Sequence, residues 1–402
     1  SLSLPKRRIN PVAELVEAPT PPENIRKLNT MSNKESTTGR LLSLDALRGF
    51  DMMFIMGLSA IIINACGLFP GGETCWLATQ MSHVAWDGFH HYDTIFALFL
   101  FISGMTFPYS SSKKLAKGMS RSRLCLDVLR RACVLIFLGL VYQGIFQFHF
   151  ATLRFPSVLA RIGIAWALAA ILYLYTGKKT QWGVAIGVLV GYFLLLRFVV
   201  APDAPAGADP FSKEGNIVYY IDRILMPNHI YEKGLGDPEG LLSTIPAVVT
   251  AMLGIFTGRY VKESKDSGGR KTAKMLAAAA VMAVIAAVWS IWCPVIKSLW
   301  TSTFVLAAAA WSVGLFAIFY YLIDVKGWRK GVLFFQVVGM NSITIYLGQC
   351  ILRFDSMTDF FFGGVMSLLP EPWSKLVFSL GYFTLCWLLL YFLYKKNCFL
   401  KV

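Results

Sequence analysis

Charge is scarce. Of 402 residues only 15% are Asp, Glu, Lys or Arg, against about a quarter in an ordinary soluble domain, and the shortage excludes a conventional water-soluble globule. Metal-ligand spacing is lacking too: the eight cysteines are scattered, mostly within apolar stretches, so no metal is expected. There is no P-loop, dinucleotide fingerprint or nucleophile elbow. No pair of internal repeats is evident, which argues against an inverted-repeat transporter. The first thirty residues lack an apolar run long enough for a signal peptide. They are polar and rich in proline (Pro5, Pro11, Pro19, Pro21, Pro22), and Met31 opens a stretch that reads like a natural start. Residues 1–40 are therefore expected to form a disordered arm, with 1–30 as an upstream extension.

What is abundant is hydrocarbon: 56% of residues are hydrophobic and the mean hydropathy is +0.56. Ten apolar stretches of spanning length follow one another, at about 44–67, 92–111, 124–147, 157–176, 180–200, 240–261, 273–292, 301–323, 332–352 and 373–394. The net charge of +15 would suit a nucleic-acid binder, but its placement does not. Lys and Arg crowd alternate connections: Lys113, Lys114, Lys117, Arg121 and Arg123; Lys178 and Lys179; Lys262, Lys265, Arg270 and Lys271; Lys326, Arg329 and Lys330; and the tail with Lys395 and Lys396. The other connections are poor in cations and carry acids such as Asp203, Asp209, Glu214 and Glu232. By the positive-inside rule both termini are cytoplasmic. The expected fold is an all-α polytopic membrane protein, one bundle of about ten transmembrane helices over residues 41–402.

All five histidines (His83, His90, His91, His149, His229) then fall at the outer ends of spans or in outer connections. His83 and Asp93 bracket the entry to the second span, where a charge is costly unless it is paired or used. Imidazole is the side chain whose ordinary titration lies nearest neutrality, so acid–base capacity gathers on one side of the membrane. The other side offers cations suited to an anion such as a phosphate. Asp45 and Arg48 stand three apart on one helix face, close enough to pair. Arg161 lies inside a span with no carboxylate on its own helix, and calls for a partner from another helix or from a ligand. Asn341 and Ser342 interrupt the ninth span and Gln349 follows, all able to bond between helices. Cys66 and Cys75 share the first outer connection and are candidates to pair, with Cys293 as a rival.

Seven motifs in order carry a resemblance. They are Ser43-Leu44-Asp45 with Arg48-Gly49; His83, Trp86, Gly88 and Asp93; Arg154-Phe155-Pro156 with Arg161-Ile162; Asp237-Pro238-Glu239-Gly240; Leu299-Trp300-Thr301-Ser302; Asp324-Val325-Lys326-Gly327; and Gly339-Met340-Asn341-Ser342. From Ser43 to about Phe354 the chain resembles the heparan-α-glucosaminide N-acetyltransferase family, in the form of its bacterial relatives. In that family a luminal histidine ahead of the Trp-x-Gly…Asp motif is the proposed active-site residue, and the matching position is His83. The resemblance implies cytosolic acetyl-CoA as donor and a glucosamine amine as acceptor on the far side. It departs from the family in three places. Ile95-Phe96-Ala97 replaces Val-Phe-Pro, Gln349 replaces a histidine, and Ser59 stands where the family has an asparagine, with Asn64 near. The large luminal domain of the family's lysosomal members has no counterpart here.

On this reading His83 and Asp93 are the catalytic candidates: the imidazole takes the amine's proton and the carboxylate orients it. An acetyl-histidine intermediate and direct attack both remain open. Trp86, Glu239, Trp300, Asn341, Ser342 and Asn64 are the expected substrate-binding set, with the amide and hydroxyl groups as oxyanion donors. Arg48, Arg130, Arg131, Arg161 and Arg259 are the expected cations for acetyl-CoA. The partners are acetyl-CoA, an amino sugar and the bilayer, without nucleic acid and with a homodimer left open; the expected location is a bacterial inner membrane. The alternative is a non-catalytic permease for a sugar or small solute.

Overall fold

The computed structural model describes residues 41–231 and 234–400. The expected disordered arm over 1–40 and the acidic Glu232 lie outside these residues. The chain is helical with no strand among the described residues, only two isolated bridges. Its helices are α1 (Leu42–Cys66), α2 (Trp76–Gln80), α3 (His91–Ala116), α4 (Arg121–Tyr142), α5 (Val158–Tyr175), α6 (Lys178–Phe198) and α7 (Ile217–Leu225). They continue as α8 (Thr244–Glu263), α9 (Gly268–Trp289), α10 (Ser302–Val325), α11 (Val332–Met340), α12 (Ser342–Ile351), α13 (Phe354–Met366) and α14 (Glu371–Lys395).

Among the described residues eight helices are long and apolar enough to cross a bilayer, or nine when α11 and α12, bent by 65° at Asn341, count as one broken span. The tenth expected span is α4, a 22-residue helix with the length to cross, which falls outside this apolar set because its first half carries Arg121, Arg123, Asp127, Arg130 and Arg131. Lipid is the solvent of the rest. The apolar window of α8 is 78% buried, whereas those of α9 and α14 are only 22% buried, so α8 is a core helix and the others face lipid.

Small residues bring the core helices together. A Cβ at Gly254 or Gly258 of α8 would lie 2.1 or 2.2 Å from the carbonyl oxygens of Phe101 and Met105 on α3, and one at Gly104 would lie 2.1 Å from that of Ala251. Gly254 and Gly258 are the small-xxx-small pair that lets membrane helices touch backbone to backbone. The same device joins α1 to α11, where Gly49 and Gly339 approach the carbonyls of Phe335 and Asp45. Between them, α1 widens into a π-turn at Phe54–Leu58, with Gly57 at φ +119°. The carbonyls this frees find side chains: Ser59 Oγ donates to Phe54 O at 2.9 Å and Gln349 Nε2 to Ile55 O at 3.2 Å. Such bulges often mark functional regions, and here Ile55 lines a cavity of about 310 Å³.

Candidate active site

The outer end of α3 is held by a capping box, and Asp93 is its third residue. Its Oδ2 accepts from the backbone of His90 and of Val84, both at 3.3 Å. Its Oδ1 faces His83 Nδ1 at 2.7 Å. A carboxylate only accepts, so the ring donates through Nδ1 and presents Nε2 as the basic nitrogen. Asp93 is 2% exposed and His83 53%, so the carboxylate is fixed and the imidazole reachable. The pairing expected of the second span is present.

A third group joins them. Lys297 Nζ lies 3.3 Å from Asp93 Oδ1 and 3.0 Å from His83 Nδ1. Its loop between α9 and α10 is tied to the His83 segment by Gly88 N–H donating to Val295 O and Val295 N–H donating to Asp87 Oδ1, both 3.0 Å. Gly88 sits at φ +137°, a conformation that a side chain would strain. Burial draws the Lys297 amine below the ordinary lysine range, with Asp93 and Glu239 opposing. None of the sequence motifs marks Lys297. The available signal was its place: an outer connection, where cations are few.

His83 and Lys297 open into a cavity of about 310 Å³, lined also by Tyr92, Tyr142, Tyr346 and Glu239. A second cavity of about 240 Å³ holds Arg48 and Arg131 together with Ser103 and Thr106. Both cavities are lined by Phe99, Ile162, Ser342 and Ile343. Ser342 begins α12 at the break in the ninth span, so the break forms part of the wall between the two chambers.

The expected site residues divide. His83, Glu239 and Ser342 line the outer cavity, with Asp93 behind His83; Arg48 and Arg131 line the inner one. Arg48 also pairs with Asp45 at 3.8 Å, as their spacing implied, and Arg131 stacks on Trp166 at 4.6 Å. Asn341 is 1% exposed with its amide nitrogen unpartnered among the described residues. Glu239 is held by Arg154, which also grips Asp237 through two bonds of 2.8 and 2.6 Å.

The others line neither cavity. Trp86 donates to Phe211 O at 2.8 Å and packs beside Tyr219. Trp300 is buried at φ +52°, between Phe96 and Phe304. Asn64 ties α1 to Ser379 of α14 at 2.6 Å. Arg161 is buried on Gly240 O and Ser243 Oγ in the segment that leads into α8, with its Nε and Nη1 unpartnered among the described residues. Arg259 bonds Gln181 at 2.8 Å, and Arg130 is exposed; neither lines a cavity. Cys66 and Cys75 do come together, thiol to thiol, and Cys293 is buried elsewhere against Thr303.

Over 423 aligned residues the chain is 25% identical to heparan-alpha-glucosaminide N-acetyltransferase of Mus musculus, covering 92% of this chain and 61% of that protein. Over 363 residues it is 28% identical to the Homo sapiens protein of that name, covering 77% and 52%. The chain is a distant relative of these acetyltransferases. It spans between half and two thirds of the length of these curated acetyltransferases. No family profile matches it.

Proposed function

We propose that the chain is an integral-membrane acetyltransferase. It takes acetyl from acetyl-CoA at the cytoplasmic face and passes it to the amine of glucosamine, or of a glucosamine-containing glycan, on the outer face. The membrane is proposed to be a bacterial inner membrane. The observation that carries the reading is the shared wall of the two cavities: cations stand at one end of the pair and a base at the other.

The dimensions support it. Arg131 in the inner cavity and Tyr142 in the outer one are eleven positions apart on α4, about 16 Å of helical rise. Extended pantetheine is on the order of 15–20 Å long, less than the roughly 30 Å hydrocarbon core. With its phosphates against Arg48 and Arg131, the donor has a thioester arm of the right length to reach the wall near His83. Arginine is suited to such phosphate groups, and stacking on Trp166 keeps Arg131 oriented.

In the outer cavity the acceptor ammonium, held against Glu239, gives a proton to His83 Nε2. The freed amine attacks the thioester carbonyl and the C–N bond forms; the C–S bond breaks as the second proton on nitrogen passes to the departing sulfur, so that CoA leaves as its thiol, and His83 returns its proton to water. Asp93 keeps Nε2 free as the acceptor and offsets the imidazolium charge. Ser342 in the shared wall and the neighbouring Asn341 amide, unpartnered among the described residues, are the donors offered to the oxyanion. Tyr142 and Tyr346, stacked at 4.7 Å, offer aromatic surface to a sugar ring.

The test uses proteoliposomes with acetyl-CoA on the Arg48 side and glucosamine on the His83 side. Free CoA thiol and N-acetylglucosamine should appear together. Glucosamine uptake without thiol release would establish the permease instead.

A further inference from the structure

Among the described residues Lys297 is the one Lys or Arg that lines the outer cavity, and the donor and acceptor leave its role unfilled. It arrives from a loop built for position. Thr301 Oγ1 accepts from Ile296 N–H at 3.1 Å and donates to Pro294 O at 2.9 Å. Ser302 Oγ donates to Leu189 O at 2.6 Å, and Tyr192 OH to Leu299 O at 2.7 Å. The loop is therefore fastened on both sides of residue 297, besides its ties to Asp87 and Gly88. A flexible surface lysine has no such mounting.

We propose that Lys297 is a positioning residue that shares Asp93 with His83 and balances its charge, so that the imidazole stays neutral and able to take a proton. The proposal rests on the reading of His83 as base. A carboxylate alone beside an imidazole favours the imidazolium, which is useless as a proton acceptor. An ammonium at hydrogen-bond distance from the same oxygen cancels that bias, while the carboxylate still orients the ring. The other groups facing the ring leave this balance in place. Tyr92 of α3 packs at 4.7 Å between ring centres and is uncharged. His90 is turned to Ser82 O at 3.0 Å. Across the cavity Tyr142 and Tyr346 are uncharged, and Glu239 is compensated by Arg154. Arg161 lies behind, buried under Trp300.

The sign follows. Without the Lys297 cation, Asp93 acts on the ring unopposed, the protonated ring persists to higher pH, and the acid limb of activity moves up. Lys297→Met should therefore lose at least tenfold in kcat/KM for glucosamine at pH 6 and recover to within about threefold of the parent at pH 9. KM for acetyl-CoA should change less than twofold. Lys297→Arg keeps the charge and should keep the acid limb within about 0.3 of a pH unit. Parallel profiles for Lys297→Met and the parent, whatever the drop, would overturn the proposal, since a purely structural role lowers activity equally at every pH.

A second measurement needs no turnover. Histidine-selective 15N labelling in nanodiscs, with His83 assigned through His83→Gln, follows the ring directly. Its titration should move up by one pH unit or more in Lys297→Met and stay in place in Lys297→Arg. An unmoved titration overturns the charge balance even in an active enzyme. A shifted one in a chain that transfers no acetyl upholds the balance and sinks the catalytic reading.

Discussion

Asp87 Oδ1 accepts a hydrogen bond of 3.0 Å from the backbone of Val295, 208 residues further along the chain. That bond and its neighbour from Gly88 register two outer loops so that Lys297 meets His83 and Asp93. The site is thus assembled from the approach to α3 and the approach to α10, with α4, α5 and α12 supplying the chamber in front. Each contributor is anchored by its own backbone contacts, and this allows three ionisable side chains to meet at the edge of a hydrocarbon layer.

His83→Ala should reduce acetyl transfer by about 10²–10⁴-fold, the usual cost of a positioned base. Acetyl-CoA binding, followed by calorimetry, should stay close to that of the parent, because Arg48 and Arg131 lie in the other cavity. Turnover within tenfold of the parent would remove His83 from the mechanism.

The arginines separate by location. Arg48→Gln combined with Arg131→Gln should raise KM for acetyl-CoA at least tenfold and leave that for glucosamine within about twofold. Arg130→Gln combined with Arg259→Gln should do neither, since neither residue lines a cavity and Arg259 is engaged with Gln181. Equal effects from the two pairs would place the donor elsewhere.

Asp222 of α7 gives a pH dependence of stability. It is fully buried, and burial pushes its carboxyl up to about 7 from an ordinary 3.8. A carboxyl raised in the folded state stabilises the fold while protonated, so its contribution is complete below about pH 4 and is lost as pH rises towards 7. At 1.36 kcal/mol per unit, three units amount to on the order of 4 kcal/mol. The melting temperature of the parent should fall between pH 5 and pH 8, and Asp222→Asn, which can still accept from Leu241 N–H, should flatten that slope. Identical slopes would show that another group controls it.

Gly254→Ala tests the closest helix contact. A Cβ there would lie 2.1 Å from Phe101 O, so α3 and α8 must move apart. Overpacking of this kind costs about 1–3 kcal/mol or more, and the melting temperature in detergent should drop by several degrees. Gly187, with nothing within 4 Å of its Cβ position, is the control: Gly187→Ala should cost nothing measurable.

Sidedness follows from labelling with an impermeant thiol reagent, in a background whose exposed cysteines are serine. Glu73→Cys and Ala206→Cys should react in intact cells, and Ser267→Cys only after the membrane is opened. All three positions are exposed, and Glu73 is chosen because its neighbour Gly72 is pressed against Cys66 O. Reaction at residue 267 in intact cells would reverse the orientation and the direction of transfer.

The sequence by itself determined the all-helical membrane class, because a run of about twenty apolar side chains can satisfy its backbone in lipid only as a helix. It also brought out the His83–Asp93 pair, since the segment between them is short and its motif local, and the Asp45–Arg48 contact, which is one turn of helix. Only the tertiary structure decided the rest. Lys297 reaches the site through a loop contact spanning more than 200 residues, and no local pattern encodes such a contact. Arg259 and Arg130 look like Arg48 and Arg131 in sequence, yet only the latter two line a cavity, because the packing of α1 against α11 and of α4 against α5 sets which face of a helix opens inward. The sequence places Arg130 and Arg131 within the third span; the tertiary structure lines a chamber between helices with Arg131, which lets a helix so charged stand in the bundle.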